Sequence, residues 1–249
     1  MKNRDHWTPS KYRLRGDRLR ASLDRSQVAI GSWLITDLIA ESYGELIPRY
    51  VAGKLIDLGC GKAPLFEAYR PYATDVVWVD WADSLHPNPD LDMEVDLNGP
   101  LPFATGEFDT IILSDVLEHI GSPEQLFIEM ARILAPTGRL LMNVPFLYWI
   151  HESPHDYYRF TEFALRRLAE SSGLDVIALQ PLGGSPEVFA DLLAKHLQGV
   201  PAVGRSLAWS TQAVVKAFRT TGMGKRVSER SGKAFPLGYL MVAERPGIT

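Results

Sequence analysis

Residues 55–62 read Leu-Ile-Asp-Leu-Gly-Cys-Gly-Lys, a short apolar run that passes into two glycines one residue apart. Gly59 and Gly61 let the backbone bend tightly and leave no Cβ where a ligand would approach. Asp80 lies 19 residues after Gly61, at the end of the next apolar run, where a carboxylate can accept two hydrogen bonds from a ribose diol. Two readings compete: a nicotinamide dinucleotide, or a nucleoside cofactor without a pyrophosphate. The dinucleotide fingerprint wants a small residue three places after Gly61, and that place holds Pro64, which lacks an amide and adds bulk. The nicotinamide oxidoreductase reading loses ground accordingly. A glycine turn with no ligand is the bland alternative, and Asp80 and Asp96, both at strand ends, weigh against it.

Histidines cluster further along. His119 closes the run Asp115-Val-Leu-Glu-His, and His151 and His155 flank Glu152-Ser-Pro. A histidine at the carboxyl end of a strand could act as a general base near neutral pH, so all three are candidate catalytic residues. For His119 a hydrogen-bonded structural place at a helix start outweighs catalysis. Tyr148, Trp149, Tyr157, Tyr158 and Arg159 are candidates to line an acceptor pocket. His151 to His155 formally matches the zinc-protease pattern H-E-x-x-H. Pro154 inside that turn breaks the helix the pattern depends on, so the match is read as spurious.

Taken together, Asp57-Leu-Gly-Cys-Gly61 resembles the first motif of the class I S-adenosylmethionine (SAM) dependent methyltransferases, an acidic residue followed by x-Gly-x-Gly, with Ala63 where a third glycine is frequent. The likeness spans roughly residues 50–180, and Ser122-Pro123 through Pro136-Thr-Gly138 matches the family's helix and turn before the fifth strand. The resemblance implies SAM as cofactor. Asp57, Gly59, Cys60 and Gly61 would lie against its amino-acid part, Asp80 and Trp81 by the ribose, Asp96 and Leu97 by the adenine, and Ser114 near the methionine moiety. Asn143-Val-Pro-Phe146 is similar to an amino-methyltransferase motif but departs at Val144 and follows the wrong strand, so it is read as the floor of the acceptor site.

Asp115, Glu118 and His119 at i, i+3 and i+4 would share a face of a helix. With His155 this set is similar to the metal-binding residues of small-RNA 2′-O-methyltransferases and of some quinone-pathway O-methyltransferases. The Leu-Glu-His triplet also occurs in family members expected to hold no metal, and the metal-free reading is favoured.

These residues need a scaffold. Apolar runs at 54–58, 76–79, 108–113, 139–144, 175–180 and 238–243, with a shorter one near 93–95, predict strands; Ser26, Ser122, Thr161 and Ser185 predict helix starts between them. Leu126, Phe127, Met130, Ile133 and Leu134 are expected on one face of the helix that begins at Ser122-Pro123. Alternating strand and helix predicts an α/β fold, a Rossmann-like doubly wound sheet, because parallel strands need crossover helices. The family resemblance implies seven strands, the last antiparallel. One domain is expected over 1–249: an N-terminal arm and helix (1–50), the SAM-binding core (51–184), a helical insertion or cap (185–233), and a final strand and tail (234–249).

Composition bounds the rest. The chain has 249 residues, 46% hydrophobic and 22% charged, with net charge -4, which excludes disorder and fibrous repetition. One cysteine, Cys60, cannot form an internal disulfide, so a reducing cytoplasm fits best. The polar start Met1–His6 is unlike a secretory segment, and no run of about 18 apolar residues occurs. Charge is segregated: residues 1–25 carry net +5, residues 205–233 carry net +6, and the remainder is acidic at -15. The first basic end could fold over the cofactor as a lid. The second mixes Leu207, Trp209, Val214, Val215 and Phe218 with seven cations, and could cap the acceptor site or touch anionic lipid or a phosphorylated carrier, although core packing with a solvated basic rim is favoured.

The expectation is a SAM-dependent methyltransferase acting on oxygen of a small-molecule, sugar or glycan-linked acceptor. The alternatives are a non-catalytic SAM- or nucleoside-binding regulatory module and an RNA methyltransferase; no RNA-binding module accompanies the basic ends.

Overall fold

Strand by strand, a computed structural model describing residues 4–247 follows the apolar pattern. The polar start at residues 1–3 and the end of the tail, 248–249, lie outside the described residues. Seven strands form one sheet in the order β5-β4-β3-β6-β7-β9-β8. They are β3 (Gly53–Leu58), β4 (Ala73–Asp80), β5 (Met93–Glu94), β6 (Phe108–Ser114), β7 (Leu134–Pro145), β8 (Asp175–Leu182) and β9 (Gly238–Glu244). Pairs β3–β4, β3–β6, β4–β5 and β6–β7 are parallel. The final strand, β9, runs antiparallel to both β7 and β8.

The central strands are buried on both faces, as parallel strands covered by crossover helices must be. One apolar layer contains Tyr43, Phe66, Trp78 and Leu141. The other contains Leu126, Phe127, Met130 and Ile133 of α3 (Pro123–Ile133) with Leu165 of α4 (Glu162–Ser171). Phe127 and Met130 have no exposed surface, each contributing about 1.5–3 kcal/mol through burial. Leu134, expected on that helix, instead opens β7.

From β3 the sheet grows outward to β4 and β5, then resumes on the other side with β6 and β7. This reversal leaves a crevice at the carboxyl ends of β3 and β6, where ligands bind in such sheets. Leu58, Asp80, Ser114 and Pro145 all end strands along that edge.

The N-terminal segment differs from expectation. Tyr12–Arg15 (β1) and Arg18–Ala21 (β2) form a hairpin, turned by Gly16 at φ +65. Ser26 does not begin a helix. Its amide and hydroxyl both donate to Asp24 Oδ1, at 2.9 and 2.7 Å, closing a turn, and helix α1 (Trp33–Tyr50) starts only after a single 3₁₀ turn at Ile30–Ser32.

The insertion supplies α5 (Ser185–Leu197), α6 (Gly204–Arg219) and α7 (Gly222–Gly232). Ser185 is the first residue of α5; the cap position is Gly184, whose amide donates to Glu187 Oε2 at 2.8 Å. Thr161 caps α4 as expected, accepting from the Ala164 amide at 3.3 Å. The buried Gln212 of α6 accepts from the Leu34 amide at 2.8 Å and donates to the Ile30 carbonyl at 2.5 Å, tying the insertion to the start of α1. Lys216 adds an ion pair to Asp37 at 2.6 Å. Helix α6 thus docks on α1, and of the insertion α5 is the helix that reaches the acceptor side. Among the described residues, no helix is long and apolar enough to cross a membrane.

Candidate active site

The glycine turn is built by the neighbouring strand. Gly59 and Gly61 take φ +67 and +49, a region that favours glycine. A Cβ on Gly59 would stand 2.6 Å from Val116 Cγ2. Val79 O accepts from the amides of Gly59 and Cys60, and Asp80 Oδ2 accepts from the Gly61 amide at 3.0 Å. Ser84 and the Trp81 amide also donate to Asp80, which leaves an acceptor position on Oδ1.

A cavity of about 640 Å³ opens here, lined by Gly59, Gly61, Asp80, Trp81, Asp96, Leu97 and Val116 among others. Asp96 is exposed and accepts twice from Asn98 on Oδ1. Glycines without Cβ, a carboxylate with an open position, a second exposed carboxylate and apolar walls together fit a nucleoside. Ser114 and Cys60 line a smaller adjoining cavity of about 200 Å³.

Asp57 is placed differently from the expectation that it touches ligand. Its side chain is buried beneath the turn and accepts from the Tyr69 hydroxyl at 3.0 Å, and that hydroxyl accepts from Trp78 Nε1 at 2.7 Å. Burial pushes Asp57 up to about 7, opposed by the Tyr69 hydrogen bond and reinforced by the charge of Asp80. Burial likewise raises the Cys60 thiol, so it is no nucleophile.

His119 and His151 gather around Glu118, which lies on the 3₁₀ turn Leu117–His119 and is wholly buried. Neither of its carboxylate oxygens has a hydrogen-bond partner. Nε2 of His119 and Nε2 of His151 each lie 3.7 Å from Oε1, and Glu118, His119 and His151 turn their ligand atoms to within 4.8 Å of one another. His119 Nδ1 meets the His155 carbonyl at 2.9 Å; donation there leaves Nε2 as a lone pair facing the carboxylates of Glu118 and Glu152. Burial pushes Glu118 upward, partly offset by His151. On His151 burial opposes the charge, yet Glu118 and Asp156 together raise it. Asp156 lies 3.3 Å from His151 Nδ1. Burial opposes its charge, but two Arg159 contacts at 2.5 and 2.7 Å and the His151 amide hold it at about 2. Such a cluster, rich in acceptors and poor in donors, can hold a shared proton or a cation.

Two expected metal ligands lie outside this set. His155 turns its ring edge-on to Trp81, with Nδ1 at 2.9 Å from the Tyr157 hydroxyl. Asp115 is held at φ +54 by Asn143 Nδ2 and by Lys11 Nζ at 2.5 Å. His151, not His155, stands with Glu118 and His119.

A third cavity, of about 210 Å³, is lined by Lys11, Gln27, Ser32, Thr36, Asp115, Glu118, Asn143, His151 and Glu152 together with the apolar Val28, Ile35, Ile39, Val144 and Leu182. Asp115 and Glu152 line all three cavities, so they mark where the three meet. Tyr148 lines this third cavity and bonds Ser32 through its hydroxyl at 3.1 Å; Tyr157 lines the large one. Arg159 is occupied with Asp156 and the Trp149 carbonyl, Tyr158 donates to the Gly121 carbonyl, and Trp149 is half exposed; these three shape the loop. Lys11, Glu152, Asp156 and the apolar residues of α1 were missed, since nothing local in the sequence marks them.

The arm crosses this region. Trp7 Nε1 donates to the carbonyls of Lys62 and Ala63, both at 3.1 Å, and Arg4 stacks 3.8 Å over Trp78.

A family model described as a methyltransferase domain matches residues 12–179. The chain is similar to a demethylmenaquinone methyltransferase of Renibacterium salmoninarum, 28% identical over 94 residues, covering 36% of this chain and 40% of that protein. It is also similar to a ubiquinone biosynthesis O-methyltransferase of Dinoroseobacter shibae, 26% identical over 172 residues, covering 57% of this chain and 69% of that one. The chain spans only 40% and 38% of the first two curated relatives. A solved SAM-dependent methyltransferase from Archaeoglobus fulgidus superposes with a TM-score of 0.56 at 14% identity, covering 84% of this chain and 93% of that one, a likeness of fold alone.

Proposed function

The chain belongs to the SAM-dependent methyltransferases, and we propose that it methylates an oxygen of a small, largely apolar acceptor held in the cavity between α1, β7 and the 146–160 loop. The observation that carries this reading is the meeting of the three cavities at Asp115 and Glu152, beside His151. SAM, when bound, supplies a methyl group already activated on sulfur, so the protein must chiefly align the acceptor and take up a proton. With SAM bound, His151 would accept the proton that the acceptor hydroxyl gives up on taking the methyl group. Asp156, 3.3 Å from Nδ1, and Glu118, 3.7 Å from Nε2, stabilise the resulting imidazolium by their charge. Val28, Ile35, Ile39 and Leu182 favour a phenolic or enolic body over a sugar or glycan. The names of the quinone-pathway relatives point the same way.

Calorimetry with S-adenosylhomocysteine, followed by transfer of a labelled methyl group to a panel of phenols, quinols and sugars, tests the proposal. Asp80→Ala should weaken S-adenosylhomocysteine binding at least about tenfold, the loss expected of hydrogen bonds to a charged group. A chain that binds S-adenosylhomocysteine but methylates no member of the panel would instead favour a binding module.

The orphaned oxygens of Glu118 favour a second reading of the same site, in which Glu118, His119 and His151 hold a divalent cation that polarises the acceptor oxygen. Stoichiometric metal in the purified protein, lost in Glu118→Gln, would establish it; full activity of metal-free protein would remove it.

A further inference from the structure

Helices α5, α6 and α7 keep apolar side chains turned to solvent although each has a buried face of its own. Phe189 is 71% exposed and Leu193 49%, one turn apart on α5. Val203, the N-cap of α6, and Leu207 and Val214 on the helix follow at i, i+4 and i+11, opposite the buried Ala208 and Gln212. Met223 on α7 is 70% exposed. Isolated exposed apolar residues are ordinary, but stripes of them on neighbouring helices mark an interaction surface.

The same helices carry the charge that selects the occupant. Of the seven cations in 205–233, Lys216 pairs with Asp37, and Arg219 pairs with Glu41 and Glu187. Arg205, Lys225, Arg226, Arg230 and Lys233 make no ion pair among the described residues, and Glu229 is the segment's only acid. We propose that this three-helix surface docks the enzyme on an anionic lipid bilayer, with the apolar stripes entering the headgroup boundary and the five free cations meeting lipid phosphates. A second copy fits poorly, since a symmetric contact would oppose like charges. A soluble anion would use the cations and leave the stripes without purpose.

The net negative charge of the remainder turns the rest of the molecule away from such a surface. Docking would also bring the acceptor cavity close to the bilayer. On its inner face α5 sets Lys195 Nζ 3.7 Å over the ring of Tyr148, a cavity-lining residue, and just beyond its end Gln198 accepts from the Gly31 amide at 2.9 Å. The inference concerns the surface and stands whether or not the acceptor is phenolic.

Flotation of the full chain with vesicles tests it. Binding to phosphatidylglycerol/phosphatidylcholine vesicles, absent on phosphatidylcholine alone and weakening as salt rises, is expected. Phe189→Ser/Leu193→Ser/Leu207→Ser and, separately, Lys225→Glu/Arg226→Glu/Arg230→Glu should each lower vesicle partitioning at least roughly tenfold. S-adenosylhomocysteine affinity should stay unchanged, which shows that both variants fold. Failure to float with anionic vesicles would overturn the proposal. So would binding that the serine variant retains in full, the mark of a soluble anionic partner, or a dimer in sedimentation that the serine variant dissolves.

Discussion

His151 has the most consequential surroundings of any side chain in the site. Burial works against its protonated form, but the carboxylates of Glu118 and Asp156 raise it above the ordinary histidine value of 6.5. A general base must be neutral to act, so kcat/KM should climb with pH through an acid limb lying above pH 6.5. Asp156→Asn removes one supporting charge and should move that limb to lower pH. His151→Ala should abolish the limb and cost about 10²- to 10⁴-fold in rate, as general bases typically do. A limb unmoved in both variants would assign the base elsewhere. His119 is less well placed, because it lines the nucleoside cavity, whereas His151 lines the acceptor cavity.

At the scale of elements, the arm is the part most able to tune ligand exchange. Its hairpin is anchored by the amide of Ala21 on Asp37 at 3.0 Å, while Trp7 closes on the glycine turn through two carbonyls and an edge contact with Phe66 at 5.1 Å. Trp7→Ala removes both hydrogen bonds without touching the sheet, and should speed S-adenosylhomocysteine dissociation about tenfold in stopped flow while leaving Tm within a few degrees. An unchanged off-rate would reduce the arm to packing. The sheet and α3 were legible because their apolar periods are strong and their ends are marked by glycine, proline and strand-end aspartates. The hairpin left a signal, Tyr12-Arg-Leu-Arg-Gly-Asp-Arg-Leu-Arg-Ala21, alternating about Gly-Asp, but its arginines masked the period. Ser26 misled because the nearer Asp24 captured its amide. No local pattern could join Lys11 to Asp115 across 104 residues, or bring His151 rather than His155 to Glu118.

Across the whole molecule, the segregated charge of the sequence is only partly spent in ion pairs. In the basic start Arg4 pairs with Asp92, Lys11 with Asp115 and Arg20 with Asp37 and Glu41, while Arg13, Arg15, Arg18 and Arg25 stay exposed. The later basic segment spends two and keeps five outward. The acidic middle, by contrast, buries some of its carboxylates, and Asp57 bears on global stability. Its carboxyl stands at about 7 folded against 3.8 for an unconstrained aspartate. Below pH 3.8 it is protonated in both states and has no effect on the pH dependence. Between 3.8 and about 7 the unfolded chain ionises first, so stability falls as pH rises, by up to roughly 1.4 kcal/mol per pH unit. Above that range the loss is constant. Asp57→Asn keeps an acceptor for Tyr69 and cannot ionise, so urea unfolding should find the variant gaining on the wild type between pH 4 and pH 8. Since Asp57 lies beneath the glycine turn, S-adenosylhomocysteine affinity should change by less than about threefold, the effect of a residue that does not touch ligand. A stability difference that stays flat with pH would mean that the buried carboxyl ionises as freely as in the unfolded chain.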